Sequence, residues 1–144
     1  YHRPQQVLAA ELFSEPAINL MPGRVSGTEV SFADTVHFPL NPDLQGIAEG
    51  EYRFGVRPSH IGLVPSNDDD LELAVTVELA EISGSETFLH VRNEQFVLVL
   101  HLPGVHEYDV DTPILIYIPT HKLFVFAADG QLIQAPSRRL GRTA

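Results

Sequence analysis

Leu71-Glu72-Leu73-Ala74-Val75-Thr76-Val77-Glu78-Leu79 alternates strictly, with an apolar side chain at every odd position. A period of two is the pattern of a β-strand with one face buried and one wet. No other stretch of the chain holds this alternation as long, and it changes phase near residues 80–82, where a bulge or the strand end is expected. Upstream, Glu51 to Val56 alternates as well, with Tyr52, Phe54 and Val56 on one side. Downstream, Thr87 to Arg92 and Gln95 to Leu102 read as a hairpin around Asn93-Glu94. Glu29 to Phe32 and Val36 to Leu40 are short, mixed strands. Ile114 to Ile118 and Leu123 to Phe126 are nearly continuous apolar runs, which predicts burial on both faces. Ala127-Ala128-Asp129-Gly130 should turn the chain back into Gln131-Leu132-Ile133.

Pro22-Gly23, Ser26-Gly27, Asn41-Pro42, Glu49-Gly50, Gly84 and Pro103-Gly104 read as turns between these runs. About nine short strands at such spacing predict an all-β fold, an OB-like partly open β-barrel with an additional small β lobe. The one predicted helix is Gln5 to Phe13, opened by Pro4 and stopped by Ser14-Glu15-Pro16. The expected division is a terminal helix of a preceding domain or linker over residues 1–16. A β domain over 17–134 follows, with lobes at about 17–66 and 71–134, and then a disordered tail over 135–144.

Composition narrows the function. The chain has 144 residues, 19 acidic and 9 basic, for a net charge of −10. That field repels phosphate backbones and anionic lipid, so nucleic acid is not an expected partner. The aromatic residues at 52, 54, 88, 96, 117, 124 and 126 lie in apolar runs and read as core, not as a base-stacking surface. There is no cysteine, which removes disulfides, thiolate metal sites and thiol catalysis and fits a reducing compartment. No apolar run approaches the ~18 residues of a membrane span. Tyr1-His2-Arg3-Pro4 has neither a methionine nor a signal-peptide apolar region, so the chain is expected to begin inside a longer gene product.

Two motifs each join an apolar run to a turn: Gly55-Val56-Arg57-Pro58-Ser59-His60-Ile61 and Gly84-Ser85-Glu86-Thr87-Phe88-Leu89-His90-Val91. Pro58 fixes the exit from a strand and holds Arg57 extended. Gly84 gives a permissive bend, Ser85 bonds locally, and Glu86 is placed to accept from backbone N–H groups or from an arginine such as Arg57. Arg57 with the hydroxyls of Ser83, Ser85 and Thr87 forms an alternative reading as an oxyanion site. Ser85 beside Glu86 lacks a nearby histidine and does not read as a nucleophile. The seven histidines include no helical i, i+4 pair; His90 and His101, facing across the hairpin, would give only two ligands. Asp68-Asp69-Asp70 lacks the spacing and turn glycine of a calcium loop. No catalytic residue, metal ligand or cofactor site is therefore assigned.

The chain resembles the C-terminal part of ATP-binding subunits of bacterial ABC importers for sugars and glycerol phosphate. The likeness rests on Tyr1-His2-Arg3-Pro4, on Glu15-Pro16-Ala17-Ile18-Asn19-Leu20, on the two motifs above, and on Phe124-Val125-Phe126-Ala127-Ala128-Asp129-Gly130. Ser59 stands where that family usually has glutamate, Phe124 where it has histidine, and Ala127 where it has aspartate. The resemblance implies a non-catalytic regulatory and dimerisation domain of the transport-associated OB type. It implies a homodimer through this domain, contact with the ATPase domain of the same chain, indirect contact with permease subunits, and a possible docked regulatory protein. It implies a cytoplasmic place at the inner membrane, with ATP and magnesium bound by the ATPase domain alone. No phosphate loop ending Gly-Lys-Ser/Thr occurs here; Lys122 is the only lysine. Arg57, Pro58, His60, Gly84, Ser85, Glu86, Phe124 and Phe126 are the interface or regulatory candidates, with Gly84 to Val91 and Leu123 to Phe126 expected as edge strands. The alternative reading is a domain sensing a small oxyanion or sugar.

Overall fold

The computed structural model describes residues 18–32, 36–40 and 47–135. The helix expected at Gln5 to Phe13 and the tail expected at 135–144 lie outside the described residues, save Ala135. Within them the chain is all-β, as predicted: ten strands, and helix only as two single 3-10 turns.

The strands are β1 (Asn19–Ser26), β2 (Glu29–Phe32), β3 (Val36–Pro39), β4 (Gly50–Val56), β5 (Leu71–Ser83), β6 (Glu86–Arg92), β7 (Val97–Pro103), β8 (Pro113–Ile118), β9 (Phe124–Ala127) and β10 (Leu132–Gln134). They form two antiparallel sheets, ordered β10-β9-β4-β1-β2-β3 and β7-β6-β5-β8. The sheets enclose one core as a partly open barrel. The strictly alternating stretch puts Leu71, Leu73, Val75 and Val77 into that core, against Met21, Phe32, Phe54 and Val56 of the first sheet. The chain crosses between sheets twice, at residues 57–70 and 119–123, and the second crossing returns β9 and β10 to the first sheet.

Three local expectations are corrected. Pro22-Gly23 is not a turn but the middle of β1. Pro22 needs no ladder partner on the β2 side, because β2 flanks only Arg24 to Ser26. Gly23 faces the core, where a Cβ would lie 2.7 Å from the Phe32 ring and 2.8 Å from the Phe54 ring, so only glycine lets both rings close on the strand. The register shift in β5 falls between Val77 and Leu79, earlier than expected, and the strand runs on to Ser83. β8 is an edge strand whose Leu115 is 46% exposed, so its apolar run is not buried on both faces. β9 is: Val125 joins the main core while Phe124 and Phe126 join Ile18 and Ala135 in a second cluster on the opposite face.

Both edges of the four-stranded sheet are closed from outside it. At β7, the Asn19 amide donates to the Val99 carbonyl at 2.9 Å, and the Asn19 carbonyl accepts from the Val99 N–H at 2.8 Å. At β8, Gly62 and Tyr117 exchange both backbone bonds at 2.9 Å. Asn19 is buried and lies in β1, so its side chain fastens the first sheet to the second.

Asn19→Ala removes both bonds and should cost about 1–3 kcal/mol in urea unfolding, at roughly 0.5–1.5 kcal/mol net per bond. Asn19→Asp keeps an acceptor for the Val99 N–H but sets a carboxylate against the Val99 carbonyl, so it should not restore the loss. Unchanged unfolding midpoints for both variants would show that the sheets need no such fastening.

Candidate functional site

The eight residues singled out in the sequence fall into two places. Arg57, Pro58, His60, Phe124 and Phe126 gather where the chain crosses between the sheets. Gly84, Ser85 and Glu86 sit at the end of the β5–β6 hairpin.

At the crossings, Arg57 is extended (φ −72°, ψ 142°) before a 3-10 turn over Pro58–His60, as the proline dictates. Its guanidinium lies 5.3 Å from the centroid of the Phe124 ring, a cation–π contact that joins the two crossings. Phe124 stacks on Phe126 at 6.2 Å with planes 12° apart. Both phenylalanines are buried, and β9 lies between β10 and β4, so it is not the edge strand expected of it. Between the crossings is an open cleft of about 420 Å³, lined by Ser59, His60, Tyr117, His121 and Lys122 among others. Nδ1 of His60 is buried without a hydrogen-bond partner. Burial, and then the charges of Lys122, Arg57 and His121, hold its imidazole below the ordinary 6.5.

At the hairpin, Gly84 has φ +62° while Ser85 stays at negative φ, the backbone of a type II′ turn. Glu86 pairs with His101 at 2.7 Å, across the β6–β7 ladder, rather than with Arg57. His101 in turn stacks on Phe88, centroids 4.6 Å apart and planes 13° apart. His90 meets Glu81 at 2.8 Å, so His90 and His101 are each held by a separate carboxylate and do not face one another as two ligands. These pairs are 27–59% exposed, worth under about 1 kcal/mol each, so they orient side chains more than they stabilise. The Thr87 hydroxyl, read as a possible anion donor, is buried and used: it donates to the Gly104 carbonyl and accepts from the His106 N–H, both at 2.9 Å. β6 is an inner strand, not an edge. What it offers is the outer face of its sheet, where Phe88 and His90 stand beside Leu79, Val97 and Val99. Leu79 is 47% and Val97 58% exposed.

This face and the cleft were not legible as sites, because each is assembled by register between strands far apart in sequence. The signals for the cleft were His60 in the first motif and the single lysine that follows a histidine. Asn19 stood in a quoted motif without a role. The aspartate run is a loop cap at its last member: burial opposes the Asp70 charge, but the Ser66 N–H and hydroxyl and the Asn67 amide hold its carboxyl below the usual value.

No protein-family model matches the chain. It is 32% identical over 107 residues to the sulfoquinovosyl glycerol transport ATP-binding protein SmoE of Agrobacterium fabrum, covering 72% of this chain and 29% of that protein. It is 29% identical over 134 residues to the sn-glycerol-3-phosphate import ATP-binding protein UgpC of Paraburkholderia xenovorans, covering 88% of this chain and 36% of that protein. With UgpC of Escherichia coli strain K12 it shares 26% over 133 residues, or 91% of this chain and 36% of that protein. The chain is homologous to ATP-binding proteins of sugar and glycerol-phosphate ABC importers. It spans about a third of the length of these importer proteins. No helix among its described residues is long and apolar enough to cross a membrane.

In this importer homologue, His60 gives a pH signature. Its folded pKa is depressed, so the unfolded chain takes up that proton at higher pH than the folded chain. Its contribution to stability is therefore complete above the unfolded value and lost as pH falls through the folded one. His60→Gln should lose less stability than the wild type between about pH 7 and pH 5. Urea unfolding at stepped pH measures this, and parallel curves would contradict it.

Proposed function

We propose that this chain is the non-catalytic regulatory and dimerisation domain, of the transport-associated OB type, of an ABC importer ATP-binding subunit. The importer takes up a sugar or glycerol phosphate, and the subunit works in the cytoplasm against membrane permeases. One observation carries the reading: a β domain homologous to about a third of such subunits presents an ordered, partly apolar outer sheet face. Phe88 and Val99 form its centre with Leu79 and Val97, and the Glu81–His90 and Glu86–His101 pairs form a polar border. An apolar centre with a polar rim is the anatomy of a specific protein interface. Because β6 is internal, a second copy meets side chains here, not free backbone. The face held by Glu86 is thus the part of the second motif that reaches a partner, and Gly84 and Ser85 serve it by setting the turn.

Sedimentation equilibrium of the 144-residue chain should show a concentration-dependent dimer. Phe88→Glu should leave the β-sheet circular dichroism unchanged and shift the equilibrium to monomer by about tenfold or more in Kd. A wild-type chain that stays monomeric at high concentration would sink the self-association.

The missing Gly-Lys-Ser/Thr loop supports the non-catalytic part of the reading. The purified chain should release no phosphate from ATP and magnesium above a buffer control. Turnover that co-purifies with the chain through successive columns would overturn it.

A further inference from the structure

The cleft between the crossings gathers the chain's one lysine and two of its seven histidines. Lys122, the only lysine, lines it and makes no ion pair among the described residues. His121 is beside it in sequence, and His60 faces the same space from the other crossing. No carboxylate is among the described residues that line the cleft. Two acids stand directly behind its wall, held by neutral donors: Asp70 by Ser66 and Asn67, Glu72 by the Tyr117 hydroxyl at 2.8 Å. Ser59 puts a hydroxyl on the wall.

We infer that this cleft binds a small phosphate monoester, its phosphate held by Lys122, His60, His121 and the Ser59 hydroxyl. The lysine ammonium and the imidazole N–H groups are strong donors to phosphate oxygens, which favours a phosphate over a neutral ligand here. About 420 Å³ lies in the range of small-molecule sites and exceeds what a bare phosphate fills. Ile61, Val64 and Pro119 supply apolar wall for the organic part. His60 has a further reason to accept such a ligand. Burial, and then its cationic neighbours, disfavour its protonated form. A bound dianion reverses that balance and favours the imidazolium. This inference does not depend on self-association through the outer sheet face.

The test titrates the 144-residue chain with glucose 6-phosphate and glycerol phosphate, following the imidazole resonances of His60 and His121 by NMR. Inorganic phosphate, glucose and glycerol are the comparison arms. Saturable shifts with the esters, a raised His60 pKa in their presence, weaker binding of inorganic phosphate and none of the free polyols are expected. Lys122→Ala should weaken ester binding about tenfold, Lys122→Arg should retain it within about threefold, and Ser59→Glu should abolish it. Circular dichroism establishes that each variant is folded. Three results would overturn the inference: no saturable shift with either ester, inorganic phosphate binding as tightly as the esters, or a folded Lys122→Ala that binds like the wild type.

Discussion

The fold depends on one side chain doing the work of a strand. Asn19 lies in the first sheet, yet its amide meets both polar groups of Val99 on the edge of the second. An edge residue of a sheet leaves an N–H and a carbonyl open to any passing strand. A primary amide carries one donor side and one acceptor side, so a single asparagine closes both. The opposite edge is closed by backbone, where Gly62 and Tyr117 pair. The four-stranded sheet is therefore gripped at both edges by the segments that bracket β1 and β4. A two-sheet core without such grips would hold by burial alone, which is non-directional and leaves the relative slide of the sheets weakly specified.

This constraint explains why the interesting surfaces lie where they do. With both edges of the second sheet occupied at their centres, the strand pairing open to a partner is limited, and its outer face is the larger offering. With Gly62 drawn onto Tyr117, the two crossings run side by side and leave the cleft between them. The 3-10 turn at Pro58–His60 also packs on β7, so the first crossing touches both edges of the sheet. Arg57 over Phe124 adds a tie between the crossings worth about 0.5–2 kcal/mol.

What could be read in the sequence was what is local. The alternation of Leu71 to Val77 gave the central strand. Asn93 gave the β6–β7 turn, where its side-chain Oδ1 accepts from the Gln95 and Phe96 N–H groups. Gly84 and Pro58 gave their bends because each acts on its own backbone. What was missed needs the third dimension. β1 was hidden because Pro22-Gly23 has the composition of a turn, and only the Phe32 and Phe54 rings explain a glycine there. β8 and β9 look alike as apolar runs, yet one is an edge and the other is inner; sheet order decides that, and sheet order is not in either run. Glu86 reads from sequence as an acceptor from backbone N–H groups or from an arginine such as Arg57, whereas the register of β6 on β7 gives it His101. The sequence-level candidates were therefore sound as turns and weak as contacts.

The two proposed surfaces are connected through the same crossings, and that bears on regulation. A ligand shifts a conformational equilibrium only by the difference in its affinity for the two states. In this fold one cleft wall carries Gly62, whose pairing with Tyr117 helps set how the first crossing sits on the second sheet. A ligand bridging Lys122 on the second crossing and His60 on the first favours arrangements with the crossings close. The coupling needs no path through the core, which is packed and nearly incompressible. The bridge between Gly62 and Tyr117 ties the first crossing to the end of β8, from which the second crossing leaves.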